Sequence, residues 1–328
     1  MAMRKKGVAY LLLSLIFVTL LGTVYLTQEG YDHEDRHQTA ATRVETMNSF
    51  IEDLHHDLDR AAYISGYRAL LGMEEHLSQK GAFFHNRSVM EEAFRQAFLT
   101  GGYNGTTFTV LDDASFNDYL QRVDQQASQV GIDVDANVTR VQLEQATPWV
   151  VQVGFQGNFT ITDERGSAWW EYTKNFTTDV PINGLKDPLY TVNTNGRVPN
   201  TITNHTLPPT GYVNDTNNDT AVLREFAEGS YYRTTDEAPS FLQRFTGDLT
   251  ADEKGIESIT YLPALSDQGI VVHTDRSVID HIYFSSNPDN TTDRCDIQGM
   301  SYTPDWFRLD QAHMDDYELD TLSSNPCG

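Results

Sequence analysis

Arg4-Lys5-Lys6-Gly7 is followed by Val8-Ala-Tyr-Leu-Leu-Leu-Ser-Leu-Ile-Phe-Val-Thr-Leu-Leu-Gly-Thr-Val-Tyr-Leu26. None of the nineteen residues after Gly7 is charged. As a helix they would span about 28 Å, close to the hydrocarbon thickness of a bilayer. A single segment in hydrocarbon must pair its own backbone groups, which leaves a helix as its only reasonable state. Three basic residues stand before the run and Gln28-Glu29-Gly30-Tyr31-Asp32 follows it. The positive-inside bias then places the N-terminus in the cytoplasm and everything beyond Thr27 outside. A cleaved secretory signal would have a shorter apolar core and a small-x-small cleavage site, and Leu21 to Thr27 offers none. The expectation is a single-pass cell-membrane protein whose first partner is the lipid bilayer.

Charge bears on what the outer part can meet. The formal net charge is −24, and setting aside the three cations Arg4, Lys5 and Lys6 leaves −27 on the remainder. A surface of that sign disfavours nucleic acid and anionic lipid as partners. Lysine is confined to Lys5, Lys6, Lys80, Lys174, Lys186 and Lys254, while Asp is spread along the chain. Such a solvated acidic surface suits high salt, where screening removes most self-repulsion, and a halophilic source is one explanation of it.

Nine Asn-x-Ser/Thr sequons begin at Asn86, Asn104, Asn137, Asn158, Asn175, Asn204, Asn214, Asn218 and Asn290, all beyond the apolar run. Their one-sidedness points to an extracytoplasmic N-glycosylated surface. A Thr- and Asn-rich β protein would make some of them by accident. The two cysteines, Cys295 and Cys327, fit no zinc spacing. Outside the cell the pair is a candidate disulfide closing a loop of about thirty residues, worth about 3–4 kcal/mol on the chain-entropy model.

Beyond the membrane run the helical pattern continues. Val44, Met47, Ile51, Leu54, Leu58 and Ala61 fall on one stripe, opposite acidic faces. Val8 to about Leu77 reads as one long helix, or two nearly collinear ones, whose upper half lies on a globular head. A free-standing coiled-coil stalk would need more heptads. Ser88-Val89-Met90-Glu91 fits a capping box for a helix over Val89–Leu99, ended by Gly101-Gly102. A third helix is predicted from Ser115 or Phe116 to Val130. The period then changes to two around Ile132–Val138, Val151–Ile161 and Ala168–Val180, with turns at Thr147-Pro148 and Asp163–Gly166. That is an antiparallel meander with one face on the N-terminal helix. Further on, Ala221–Ala227 reads as helix, Ile256–Leu262 and Gly269–His273 as short apolar runs, Val278–Phe284 as a strand, and Asp305–Tyr317 as a helix.

The predicted fold class is α+β: an N-terminal transmembrane helix extending into a long helix packed on an antiparallel β-meander head, with a mixed C-terminal extension. Its expected divisions are a basic cytoplasmic leader over 1–7, the transmembrane helix over 8–27 and an extended helical region over 28–102. An α/β head over 103–190, a loop or linker over 191–220 and a mixed region over 221–328 follow.

Chemistry-bearing patterns are weak. His33-Glu34-Asp35-Arg36-His37 matches H-E-x-x-H, in which two His one turn apart bind zinc and the Glu activates water. A zinc-protease helix is backed by apolar residues, whereas the flanks Gly30-Tyr31-Asp32 and Gln38-Thr39 read as a solvated acidic helix. No metal and no cofactor is assigned. His55 and His56 cannot share a face and read as solvent-facing. Asp215, Asn217 and Asp219 echo a calcium loop, but Thr220 replaces its Gly and no terminal Glu follows. Trp149, Trp169 and Trp170 could stack on sugar or pack in the sheet. No phosphate loop, nucleophile elbow or Cys-x-x-Cys occurs, and no enzymatic activity is expected.

Lys5-Lys6-Gly7-Val8 and the apolar run resemble the class III signal peptides of type IV pilins and archaeal pilin-like proteins. The resemblance covers about thirty residues and, more loosely, the helix-then-meander order to about residue 182. It implies cleavage between Gly7 and Val8 by a prepilin peptidase and assembly with other pilin-like subunits through the N-terminal helix. The Cys295 and Cys327 pair is similar to the disulfide loop of many bacterial pilin heads. Major pilins usually carry a Glu five residues after the cleavage point, where this chain has Leu12, so the resemblance is to a minor or accessory subunit. The acidic, sequon-rich composition looks like that of halophilic archaeal surface proteins. The alternative is an unprocessed bitopic ectodomain that binds a glycan or ligand, or a membrane-anchored zinc hydrolase.

Overall fold

One helix, α1, runs from Met3 to Lys80. The computed structural model describes residues 3–204, 211–214, 217, 219–286, 294–296 and 305–319, and the side chains of 3–14, 24–40 and 294–296 lie outside that description. The stripe predicted on α1 is the face that packs: Met47, Ile51, Leu54, Leu58 and Ala61 are buried, with Val44 half-buried. It continues through Ala62, Ala69, Leu70, Met73 and Leu77. Among the described residues no helix is long and apolar enough to cross a membrane. Described side chains cover only residues 15–23 of the 8–27 run, so the transmembrane assignment reaches beyond the described residues.

Helix α2 spans Arg87–Thr100. Its cap is not Ser88 but Asn86, whose Oδ1 accepts the Val89 N–H at 2.9 Å. The Asn86 amide, two residues earlier, reaches the free N–H groups of the first turn. Gly101 closes the helix with φ 77°, a left-handed conformation that favours glycine. The short strands β1 (Gly102–Tyr103) and β2 (Thr106–Thr107) and a 3₁₀ turn follow. Helix α3 spans Phe116–Ser128. At its start the Ser115 N–H donates to Asp118 Oδ2 at 3.0 Å and the Asp118 N–H to Ser115 Oγ at 3.2 Å.

Strands β3 (Ile132–Thr147), β4 (Val150–Asp163) and β5 (Trp169–Pro181) form a three-stranded antiparallel sheet in that order. Strands β3 and β4 are longer than their predicted cores, and β5 matches its predicted run shifted by one residue. Strand β3 runs on through Arg140–Thr147, where Leu143 and Gln145 are buried; the buried side passes from even to odd residues across Thr139-Arg140, both exposed. The remaining described elements are short: α4 (Pro188–Asn193), α5 (Ala221–Glu228), β6 (Tyr232–Thr234), α6 (Phe241–Arg244), β7 (Ile256–Ser258), α7 (Leu262–Asp267), α8 (Asp280–Tyr283), β8 (Arg294–Asp296), β9 (Arg308–Asp310) and α9 (His313–Asp316). Two expectations fail here. Val278–Phe284 is not a strand: Val278 and Ile279 enter the core and Asp280–Tyr283 turns into α8. Asp305–Tyr317 is not one helix but β9 and α9, because Arg308–Asp310 pairs antiparallel with β8. Apolar runs of this length carry no period that separates strand from helix.

The chain divides into two compact units: residues 1–57, 124–135 and 159–172 in the first, and 58–123, 136–158 and 173–328 in the second. In the first, Arg43 Nε donates to Asp163 Oδ1 at 2.9 Å, and its Nη2 donates to the Val130 and Gly131 carbonyls at 2.9 and 2.8 Å. His55, expected to face solvent, is half-buried with Nε2 3.0 Å from the Tyr172 hydroxyl; His56 is exposed. In the second, Phe94, Phe98, Phe116, Phe155 and Phe176 form a ladder with successive ring centroids 6.0, 4.8, 4.7 and 4.8 Å apart. Gly66 of α1 lets Val153 of β4 approach so closely that an added Cβ would lie 3.0 Å from its Cγ2. A second core gathers Leu223, Phe226, Ile259, Leu265, Val278 and Leu309 around the short elements.

Candidate functional site

In the first unit the described part of the apolar run is a bare helix surface. Leu15, Ile16, Phe17, Val18, Leu20 and Leu21 are each between 53% and 66% exposed, on every side of α1. The hydroxyls in this stretch turn inward: Thr19 Oγ1 donates to the Leu15 and Ile16 carbonyls at 3.0 and 2.9 Å, and Thr23 Oγ1 to the Leu20 carbonyl at 2.9 Å. Polar groups satisfied within the helix ask nothing of the surroundings. Gly7 and Val8, the expected processing pair, lie upstream on α1, and the side chains of His33, Glu34 and His37 lie outside the described residues.

The sequon asparagines that are described, Asn86, Asn104, Asn137, Asn158, Asn175, Asn204 and Asn214, are all exposed. Asn218 and Asn290 lie outside the described residues. In the second unit Asn137, Asn158 and Asn175 stand on adjacent strands of the polar sheet face. There Thr173 Oγ1 donates to Asn158 Oδ1 at 2.8 Å and Gln156 Nε2 to Asn175 Oδ1 at 3.0 Å. Cys295 sits on β8, and Cys327 lies outside the described residues. Of the calcium-like group, Asp215 lies outside them as well. Trp169 is 67% exposed and Trp149 half-buried, and the two belong to different units.

The chemistry the sequence did not disclose lies inside the second unit. Strand β7 alternates, so Ile256 and Ser258 serve one side and Glu257 the other. On the first side stands Arg244, fully buried. Its Nη1 donates to Asp187 Oδ2 at 2.6 Å and to Asp280 Oδ2 at 3.0 Å, and its Nη2 donates to the Ile256 carbonyl. The Tyr232 hydroxyl donates to Asp187 Oδ2 at 2.8 Å, and the Ser258 N–H and Oγ donate to Asp280 Oδ2 at 3.0 and 2.8 Å. Asp187 Oδ1 caps α4 by accepting the Leu189 N–H at 2.7 Å. Burial opposes ionisation of Asp280, but the Arg244 guanidinium and the adjacent His281 imidazole overcome it and hold the carboxyl at about 2. Burial and the neighbouring Asp280 raise Asp187. The guanidinium stays charged because the two carboxylates outweigh its desolvation. This centre is enclosed and nearly saturated, and its geometry is that of a structural junction.

On the other side Glu257 meets His281 from α8 and His313 from α9. All three are buried, at 0%, 8% and 3% exposure. Glu257 Oε1 accepts the Tyr317 hydroxyl at 3.0 Å and lies 3.5 Å from Arg233 Nε. Its Oε2 has no hydrogen-bond partner, nor have His281 Nδ1 and His313 Nε2. One ligand atom from each of the three residues converges within 4.8 Å. His313 Nδ1 stands 2.7 Å from Asp310 Oδ1, and His313 Nε2 lies 3.3 Å from Glu257 Oε2, a charge contact without hydrogen-bond alignment. Burial works against protonation of His313, but the Asp310 and Glu257 carboxylates prevail and raise it to about 10. The residues stand 24 and 32 positions apart, a spacing no motif covers. The one sequence-level hint, a carboxylate beside each histidine in Asp280-His281 and Asp310-x-x-His313, is common in so acidic a chain.

Comparison with protein-family models, curated proteins and solved structures returns no match to the chain.

Proposed function

We propose that the protein is a membrane-anchored surface protein, a minor or accessory pilin-like subunit held by its N-terminal helix with its head outside the cell. The observation that carries this reading is α1 itself, one continuous helix from Met3 to Lys80. Its upper stretch is buried along one stripe, while Leu15–Leu21 exposes apolar side chains all round. A helix hydrophobic on every side belongs in lipid or among like helices, not in water. The apolar sequence Val8–Leu26 and the three cations before it supply the anchor and its orientation. In a filament the same surface would exchange lipid contacts for helix contacts. The exposure of the seven described sequon asparagines supports a glycosylated outer face.

The test is the N-terminus of the protein recovered from membranes, read by mass spectrometry. A chain that starts at Val8 supports prepilin-type processing and assembly through the helix. Met1–Gly7 still attached to membrane-bound protein would overturn the pilin-like reading and leave an anchored ectodomain. Recovery in the soluble fraction with an intact N-terminus would overturn the anchor as well.

A further inference from the structure

We infer that Glu257, His281 and His313 form a binding site for one divalent transition-metal ion of the zinc class, buried in the second unit. The inference rests on orientation as much as on proximity. Each residue is more than nine-tenths buried, each carries a side-chain atom with no hydrogen-bond partner, and one ligand atom from each meets the others within 4.8 Å. Buried polar atoms are nearly always paired, so three orphans on three adjoining side chains call for a common partner.

The outer contacts are those a metal ligand needs. Tyr317 and Arg233 both address Glu257 Oε1, leaving Oε2 for the ion. Asp310 takes His313 Nδ1 at 2.7 Å, which orients the ring with Nε2 toward Glu257, and an incoming dication would displace the Nε2 proton to reach its lone pair. This carboxylate–histidine arrangement is the usual support of an imidazole bound to metal. The 3.3 Å between His313 Nε2 and Glu257 Oε2 matches the ligand spacing of a tetrahedral shell with bonds of about 2.0–2.1 Å. His281 Nδ1 stands 3.5 Å from Asp280 Oδ1, a charge contact without hydrogen-bond alignment.

Donor chemistry selects the ion. Two imidazole nitrogens and one carboxylate oxygen suit zinc and its neighbours, whereas calcium and magnesium take oxygen shells and copper(I) favours sulfur. A dication would also balance the Glu257 and Asp310 carboxylates. It would join β7, α8 and α9, each too short to hold its own conformation, into one cross-linked corner. This site is separate from His33-Glu34-x-x-His37 and does not depend on the anchor reading.

The experiment uses the full-length protein in detergent with His33 and His37 replaced by Ala, so that the helix motif contributes nothing. After chelator treatment, Zn2+ is titrated by calorimetry and counted by elemental analysis. One equivalent per chain is expected. His281→Gln should abolish stoichiometric binding, and Asp310→Asn, which keeps all three ligands, should weaken it about 10- to 100-fold. With Co2+ as probe, the visible spectrum should be that of nitrogen and oxygen ligands with no thiolate band. Should His281→Gln fail to fold, X-ray absorption of the Zn2+-loaded parent protein supplies the second readout, with two imidazoles expected in the shell. No stoichiometric Zn2+ in the parent protein, full binding by a folded His281→Gln variant, or a shell without imidazole would each overturn the site.

Discussion

Arg244 Nη1 donates to Asp187 Oδ2 at 2.6 Å with both side chains wholly buried. The same nitrogen reaches Asp280, so one guanidinium bridges two carboxylates drawn from distant parts of the chain. Ion pairs of this kind stabilise weakly against an apolar replacement of the whole set, because desolvation offsets most of the attraction. Removing one member is different, since it strands charge in the interior.

Arg244→Met is therefore expected to destabilise the protein by about 3–5 kcal/mol. Arg244→Lys should also be costly, because an ammonium cannot hold both carboxylates and the Ile256 carbonyl in one planar fork. Equilibrium urea unfolding measures both. A loss below about 1 kcal/mol for Arg244→Met, no more than an exposed pair contributes, would show that the centre is not the junction described.

Glu74 of α1 gives a pH dependence of defined sign. It is 3% exposed and its Oε1 accepts the Lys186 N–H at 3.1 Å. Burial raises it, the Lys186 amide and ammonium lower it, Asp187 raises it further, and it ends well above its ordinary value of 4.5. The folded protein thus holds this proton more tightly than the unfolded chain. That contribution is fully present below the ordinary carboxylate value and is lost as pH rises through the raised folded value. Glu74→Gln keeps an oxygen for the Lys186 N–H and cannot ionise. Its thermal midpoint should match the wild type in acid and exceed it increasingly as pH rises. Parallel curves at all pH values would contradict this.

The legible parts of the fold are those with a period. Met47–Ile51–Leu54–Leu58 announces the packed face of α1, and the alternation at Val151–Val153–Phe155 announces β4, because each repeats over several turns or residues. Asp280–Tyr283 and Arg308–Asp310 cannot announce themselves, being three or four residues fixed by tertiary contacts rather than by local preference. The metal-ligating cluster was illegible for the same reason: Glu257, His281 and His313 owe their meeting to a strand and two helical turns that packing alone specifies. His55 was misread because Tyr172, its partner, lies 117 residues away.

Gly72→Ala sets helix propensity against packing. In the interior of a helix the exchange should gain about 1 kcal/mol. Here a Cβ would collide with the Phe108 ring, at 2.7 Å from its Cγ. Overpacking of that kind costs about 1–3 kcal/mol, which exceeds the gain when the neighbour cannot move. Phe108 is itself 3% exposed and has little room to retreat. A net loss in thermal stability is expected, with Gly72→Ala combined with Phe108→Leu recovering part of it. A stabilised single variant would mean that the ring repacks freely.

Asp163 closes a corner of the first unit from both of its oxygens. Oδ1 accepts Arg43 Nε at 2.9 Å, and Oδ2 accepts the Ser167 N–H at 3.2 Å across the turn between β4 and β5. Burial works to raise this carboxyl, but the Arg43 and Ser167 hydrogen bonds overcome it and hold it below its ordinary value of 3.8. A lowered folded value means that the stabilisation is present above the ordinary value and is lost as pH falls through the folded one. Asp163→Asn leaves shape nearly unchanged but removes the charge, and whichever way the amide turns, one of the two donors loses its acceptor. Amide hydrogen exchange should then quicken at residues 164–168 and around Gly131, whose carbonyl Arg43 also holds, while the second unit's Phe94–Phe176 ladder keeps its protection. Above the ordinary value the variant and wild type should differ most, and in acid they should converge. Exchange that quickens equally in the ladder would show that the corner carries the fold as a whole rather than its own turn.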